Sequence, residues 1–529
     1  PRERSAFCAA LDKARVELGI DGTRRGHEEH PCLDAPPCRD YPLLIDGKAV
    51  FTADWIVSVY PADPRRVIGR VASAEPSHAE RAIAGAWHAY AAWSQRPVAE
   101  RAAVLLGAAA LLRVRRDEFA ALEIFEAGKP WSEADADVAE AVDYLEYYAR
   151  EAWHRQQPRH KNVPGEDNLH HYLPRGVGVI IAPWNFPLAI LTGMLSAAIA
   201  AGNTVVVKPS SLTPVIAARF VALLHEAGLP PGVVQFVPGP GNTLGDYLVS
   251  HPQIHFIAFT GSEAIGCRIL SLARERPGQH HVKEVVAEMG GKNAIIIDSD
   301  ADLDEAVSGV VHSAFGYQGQ KCSACSRVIV LQGIYTRFVE RLLAATRSLC
   351  IGHPDHPDTF MGPLIDAAAQ SRVLAAIRQA QSAGARLALQ IPCEHLGPGY
   401  FVGPAIFEDV APDAVLAQQE IFGPVLAVMK VPDLDTAIAV ANNTRYALTG
   451  GLYSRSPGHI LRVTRGLQVG NLYINRKITG ALVERQPFGG FKMSGVGSKA
   501  GGPDYVLRFM VPRTVTENTL RRGFAPQSS

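Results

Sequence analysis

The chain has 529 residues, 52 Lys and Arg cancel 52 Asp and Glu, and 47% of residues are apolar while 20% are charged. So apolar and balanced a composition excludes an intrinsically disordered chain, and the missing basic excess argues against a general nucleic-acid binder, whose affinity rests on phosphate contacts. The 8 cysteines lack regular spacing and are too sparse for a disulfide framework, and the length implies roughly two to four domains, each with its own core.

The opening stretch, PRERSAFCAALDKARVELG, is charged and lacks the apolar segment of a signal peptide, so a cytoplasmic protein is expected, or a mitochondrial-matrix one in a eukaryote. It also lacks Met, as a segment cut from a longer polypeptide would. The Pro-rich CLDAPPCRDYP reads as part of an irregular arm over 1–41. WIVSVYPAD follows as a strand. ERAIAGAWHAYAAW and RAAVLLGAAALLRVRRDEFAALEIFEAG carry helical periods, and helices are expected over most of 78–153. Residues 155–170 are polar and read as an exposed excursion.

From 176 to 290 short β-branched runs (GVGVIIA, TVVVKP, VVQFV, HFIAFTG, VKEVVAE) alternate with helical patterns near 187–201, 213–227, 242–250 and 263–274. That alternation predicts an α/β fold, a parallel sheet with helices on both faces. A second α/β block comprises NAIIID, a helix from 302, RVIVL, a helix from 335 and a long segment to about 503; the tail TVTENTLRRGFAPQSS is polar without helical period. One run could be mistaken for a membrane span: Gly176–Val207 holds 32 residues without Asp, Glu, Lys or Arg. Pro183, Asn185 and Pro187 break it, and Gly202-Asn203 end its middle part, so strand, loop, buried helix and strand are expected instead.

Four local patterns point to chemistry. GVGVII lacks the third glycine of the dinucleotide fingerprint, and GPGNTLG places its last glycine one position late, whereas FTGSEAIG sets Gly261 and Gly266 after a strand and at the opening of a helix. A diphosphate could approach Gly261 and the helix N-terminus, although a plain strand-to-helix turn explains the same glycines. FGYQGQKCSACSR holds Cys322 and Cys325; a zinc reading needs a second cysteine pair, which is absent from the sequence. Flanking Lys321 and Arg327 could depress a thiol pKa, so on spacing alone Cys322 is equally a nucleophile or a packed thiol. VVAEMGGKN puts Glu288 at the end of an apolar strand, where desolvation suits a general base, or where a satisfied acid simply ends the strand. Asn185 in PWNFP could donate to an oxyanion, or merely hold a loop between prolines.

Taken in order, PWNFP, VVKPS, FTGS, EMGGKN, GQKC, QEIFGPV and QPFGGFKMSG make the chain resemble the aldehyde dehydrogenase superfamily from about 42 to 510. The resemblance implies a Rossmann-like NAD-binding domain (42–153 and 174–289), a catalytic α/β domain (290–503) and a β oligomerisation flap (154–173 and 504–529), hence a homodimer or higher homo-oligomer. It also implies that Cys322 attacks an aldehyde, that Asn185 and the Cys322 N–H hold the oxyanion, and that Glu288 activates water to release the acid. Glu288 argues against the coenzyme-A-acylating branch, and Cys325 matches a neighbouring position that is not the nucleophile. A protein that keeps this fold without turnover would have lost such groups.

For the cofactor, the resemblance assigns Lys208 to the adenosine ribose, Gly261 and Ser262 to the diphosphate, Ile265 to the adenine, Glu420 to the nicotinamide ribose and Phe422 to the ring. Trp184, Ser210, Gly241, Phe259 and Met289 complete the implied cleft. NAD-selective members often carry an acid where this chain has Ser211, so NADP tolerance is expected alongside NAD.

The segment INRKITGALVERQPFGGFKMSGVGSKAGGPDY, with GQKCSACSR, looks like the glutamate γ-semialdehyde (1-pyrroline-5-carboxylate) dehydrogenase branch, which completes proline oxidation to glutamate. In that branch proline dehydrogenase is the functional partner. A substrate α-carboxylate would meet Ser323 and the N–H groups of Gly480 and Ala481, Phe186 and Phe488 would flank the methylene chain, and Lys321 would add positive potential. Another semialdehyde, succinic or aminoadipic, is the alternative substrate. No metal is expected.

Overall fold

The structure is a computed structural model that describes residues 2–18, 20 and 39–520. Two sheets organise it. The first has eight strands, with Val177–Ile181 and Thr204–Lys208 at its centre, Phe256–Thr260 and Glu284–Glu288 on one side, and Val234–Phe236 on the other. These five are parallel. Every residue of Thr204–Lys208 and Phe256–Thr260 is buried, as expected for strands covered on both faces. The second sheet has seven strands, in the spatial order Arg386–Gln390, Ala405–Glu408, Val425–Val431, Cys325–Leu331, Asn293–Ile297, Thr449–Tyr453 and Asn471–Ile474.

The uncharged run folds as strand, loop, helix and strand. Its helix, Ala189–Ala200, is apolar nearly all round because it is buried nearly all round. Among the described residues, no helix is long and apolar enough to cross a membrane.

Several expectations need correction. The arm over 1–41 is not wholly irregular: Arg2–Glu17 is a helix whose Phe7 and Leu11 are buried, while the Pro-rich stretch before Arg39 lies outside the described residues. The single strand expected at WIVSVYPAD is a hairpin, Trp55–Tyr60 pairing antiparallel with Asp63–Ala72. The helical pattern over 101–128 breaks at Arg115 into Val98–Val114 and Arg116–Ala127. The second helix stops at Gly128 (φ +66), whose left-handed conformation a side chain would oppose.

The polar excursion over 155–170 runs into the strand Glu166–Pro174, which pairs antiparallel along its length with Met510–Asn518. The first sheet is completed from far along the chain: Gly495–Val496 pairs antiparallel with the end of Glu284–Glu288, setting Gly495 opposite Glu288.

Candidate active site

Cys322 lies in the turn between the helical turn Gly316–Gly319 and the strand Cys325–Leu331. Tyr317 (φ 48) and Gln318 (φ 57) both adopt left-handed backbone there, an unfavourable conformation that surrounding contacts must hold. The Tyr317 hydroxyl donates to the Ala127 carbonyl at 3.1 Å, and the Gln318 amide donates to Gly128 O at 3.1 Å and Pro363 O at 2.6 Å. Asn293 grips the far side of the turn, its amide donating to the carbonyls of Cys322 (2.8 Å) and Ala324 (2.9 Å). Gly291 is needed beside it, since a Cβ there would lie 2.7 Å from Cys322 O.

Cys322 opens into a cavity of about 80 Å³ with Glu288, Ser323, Gly480, Ala481, Phe186 and Phe488 in its walls. The sequence thus named both proposed reacting groups and five of the residues expected around the substrate, and the fold brings them together. Glu140, Tyr144, Thr260 and Tyr505 also line it, and sequence reading missed them. A signal existed for part of this set: Glu133, Asp137, Glu140, Tyr144 and Tyr148 fall on one face of the helix Trp131–Arg155 by three- and four-residue spacing.

Burial pushes the Cys322 thiol up, and the charges of Glu288 and Glu420 push it the same way. The expected help from Lys321 and Arg327 is therefore absent. Lys321 Nζ lies 2.6 Å from both oxygens of Glu133, which compensates its charge, and it borders a separate pocket with Glu420 and Phe422. Arg327 is buried and donates to the carbonyls of Lys292, Val440 and Ala441. Neither supplies free positive charge to the thiol, and Lys321 is not among the residues that line the cavity with Ser323, Gly480 and Ala481.

Burial raises Glu288 to about 8, with the Ala500 N–H pulling the other way, and its Oε1 has no hydrogen-bond partner among the described residues. Asn185 is buried and donates one amide hydrogen to Gln320 O at 3.0 Å, leaving the other for a second acceptor.

The residues expected to hold the cofactor gather at the carboxyl ends of the parallel strands, where open α/β sheets bind nucleotides. Lys208 ends its strand buried, with burial lowering its pKa to about 8. Ser262 precedes the helix Glu263–Leu272 without capping it by its side chain, so the first backbone N–H groups keep their donors, and Ile265 is 47% exposed on that first turn. Phe259 and Met289 are buried beside these turns, and a Cβ on Gly261 would meet the Phe259 ring, one on Gly266 the Met289 sulfur. Ser210 and Ser211 are half-buried on the turn after Lys208, and Gly241 opens the neighbouring helical segment. Glu420 accepts from Gly291 N at 3.0 Å, and the Trp184 and Phe422 rings meet edge-on at 5.6 Å. A buried amine short of acceptors, open helix N–H groups, an exposed aliphatic side chain and a held carboxylate fit an adenine dinucleotide. Among the described residues no cluster could hold a metal ion.

A model of the aldehyde dehydrogenase family matches residues 52–515. The chain belongs to the aldehyde dehydrogenase family. Within that family it is 47% identical over 516 residues to a 1-pyrroline-5-carboxylate dehydrogenase of Geobacillus thermodenitrificans, covering 97% of this chain and 96% of the relative. It is 48% identical over 481 residues to one of Bacillus subtilis (90% and 93% covered). Among solved structures, the 1-pyrroline-5-carboxylate dehydrogenase from Thermus with bound NAD superposes with TM-score 0.92 at 46% identity, covering 98% of this chain and 97% of that one. Proline utilization A from Bdellovibrio bacteriovorus superposes with TM-score 0.93 at 46% identity; all of this chain is covered but 53% of that protein, so this aldehyde dehydrogenase chain spans about half its length.

Proposed function

We propose that this aldehyde dehydrogenase oxidises L-glutamate γ-semialdehyde, the open form of 1-pyrroline-5-carboxylate, to L-glutamate with NAD as hydride acceptor. The observation that carries the reading is the single cavity in which Cys322 and Glu288 share walls with Ser323, Gly480, Ala481, Phe186 and Phe488. The same walls thus hold reactive groups, donors suited to a carboxylate and two aromatic rings suited to a methylene chain. The names of the relatives support the same substrate.

The residues act in sequence. Cys322 sulfur bonds to the aldehyde carbon, and because burial holds the thiol protonated its proton is released to water as that bond forms, leaving Glu288 free for the hydrolytic step. The free Asn185 amide hydrogen and the Cys322 N–H stabilise the oxyanion. What bound NAD supplies is a hydride acceptor; Lys208, the Gly261–Ser262 turn and Glu420 hold it. Loss of hydride leaves a thioester on Cys322. Glu288 then takes a proton from water, the hydroxide adds to the thioester, and the acid departs as the sulfur regains its proton.

Ser211 presents no negative charge to a 2′-phosphate, so NADP is accepted with NAD. The exposed side chains of Val163, Val511 and Val515, on and beside the paired strands Glu166–Pro174 and Met510–Asn518, form the surface for self-association, and proline dehydrogenase is the enzyme that supplies the substrate.

The test is a panel of glutamate, succinic and aminoadipic semialdehydes with a short aliphatic aldehyde, assayed with NAD and NADP on the parent and on Cys322→Ser. Highest kcat/KM on glutamate γ-semialdehyde, abolished in Cys322→Ser, supports the reading. A higher kcat/KM on another semialdehyde, or an unchanged rate in Cys322→Ser, refutes it.

A further inference from the structure

Lys129 is wholly buried, though a lysine in that state needs both charge compensation and a reason to be there. Compensation comes from Asp137, to which it is hydrogen-bonded, while burial and the Asp137 charge push the neighbouring Glu123, whose Oε2 is 3.0 Å away, toward its neutral form. Its position is the informative part. The ammonium stands over the face of Phe186, 4.3 Å from the ring centroid, and 5.2 Å from the ring of Tyr317. Those two rings meet edge-on at 6.3 Å. Phe186 belongs to the loop that carries Asn185 and forms a wall of the substrate cavity, while Tyr317 belongs to the left-handed turn that leads to Cys322.

The same cluster reaches the backbone of both loops. The second oxygen of Asp137 accepts from the Ala189 N–H at 2.7 Å, at the start of the helix that follows Phe186. The Tyr317 hydroxyl is bound to Ala127, two residues before Lys129. A cation attracted to ring faces holds a ring in place and in orientation, and a dry surrounding strengthens that attraction.

We propose that Lys129 is a positioning residue for the substrate cavity: its ammonium, fixed by Asp137, sets the Phe186 ring that flanks the aldehyde's methylene chain and couples it to the loop of the nucleophile. The inference rests on the reading of Phe186 as a substrate wall. Lys129 touches neither substrate nor cofactor, so its effect is expected in the discrimination between a long and a short aldehyde.

The experiment compares the full chain with Lys129→Met, Lys129→Met/Asp137→Asn and Phe186→Leu, measuring kcat and KM for glutamate γ-semialdehyde and propionaldehyde at saturating NAD, with Tm for each. The double variant removes both charges and keeps an oxygen for the Ala189 N–H, so it separates the cation over the ring from charge balance and remains informative if the single variant fails to fold. The expected result is a KM for the semialdehyde raised roughly tenfold in the double variant, with the KM for propionaldehyde changed by less than about twofold and Tm near that of the parent. A double variant with the parent's KM, when Phe186→Leu raises it, overturns the proposal and leaves the substrate reading intact. If Phe186→Leu leaves the KM for the semialdehyde unchanged, the substrate-wall reading fails and the proposal falls with it.

Discussion

Glu420 occupies the space that a side chain on Gly290 would need: a Cβ there would lie 2.1 Å from Oε2 and 2.6 Å from the carboxyl carbon. The first of the paired glycines in EMGGKN thus exists to admit an acid from a segment far along the chain. Gly290→Ala should push Glu420 from its hydrogen bond with Gly291 N, raising the KM for NAD roughly tenfold while the KM for aldehyde at saturating NAD changes little. Initial rates with each substrate varied in turn check this.

Glu288 titrates at about 8, so its basic form grows as pH rises through that value, and a deacylation-limited kcat should climb from about pH 7 to about pH 9. In Glu288→Gln that rise should vanish and kcat fall by roughly 10²–10⁴-fold, while a rapid burst of NADH remains because the thioester still forms. Stability moves oppositely. The folded-state value is raised above that of the unfolded chain, so this carboxyl costs the fold stability as pH rises between the two, and Glu288→Gln should melt higher than the parent at pH 8. Stopped-flow absorbance and thermal melts at several pH values test both parts.

Gly480 has φ +73, so Gly480→Ala costs roughly 1 kcal/mol of backbone strain besides crowding the expected carboxylate site. Ser323→Ala carries no such backbone cost. Both variants should raise the KM for glutamate γ-semialdehyde far more than for propionaldehyde, with Tm reduced in the glycine variant alone. Equal losses on the two aldehydes would count against the site.

Glu140 lines the cavity with its carboxyl raised to about 8 by burial and by the nearby Asp137 charge. An ammonium brought by the substrate would favour the charged form, so binding should release a proton near pH 7. Glu140→Gln should raise the KM for the semialdehyde several-fold, by about 1 kcal/mol of lost charge pairing, and abolish the proton release seen by calorimetry in two buffers.

Ser211→Glu should lower kcat/KM with NADP at least about tenfold and leave NAD nearly unaffected, since an acid there repels a 2′-phosphate and can bond a hydroxyl. The two cofactors assayed side by side decide it.

The alternating strands and helices from 176 to 290 could be read directly, because a strand covered on both faces must be a continuous β-branched run. Cys322, Glu288 and Asn185 stood out as candidates only through the family resemblance, since spacing alone left each of them a plain structural reading. What could not be read was pairing over distance. Lys321 looked like free positive charge beside the nucleophile until Glu133, 188 residues away, was found on it. Glu140 and Tyr144 looked like polar residues of a helix surface, and only packing turned that face inward. Lys129 was invisible for the same reason, since its partners lie on three separate segments.

The pairing of Gly495–Val496 with Glu284–Glu288 has a consequence for how the protein is made. The strand that ends in Glu288 has an unpaired edge until Gly495 and Val496 have been synthesised, because its outer neighbour comes so much later in the sequence. Contacts so remote in sequence form slowly, and an exposed edge invites pairing with other chains. A ribosome-bound fragment ending before Gly495 would therefore carry both Cys322 and Glu288 yet lack the ladder beside Glu288. Full activity should emerge late and abruptly in a series of C-terminal truncations, and the shortened chains should be the ones that aggregate.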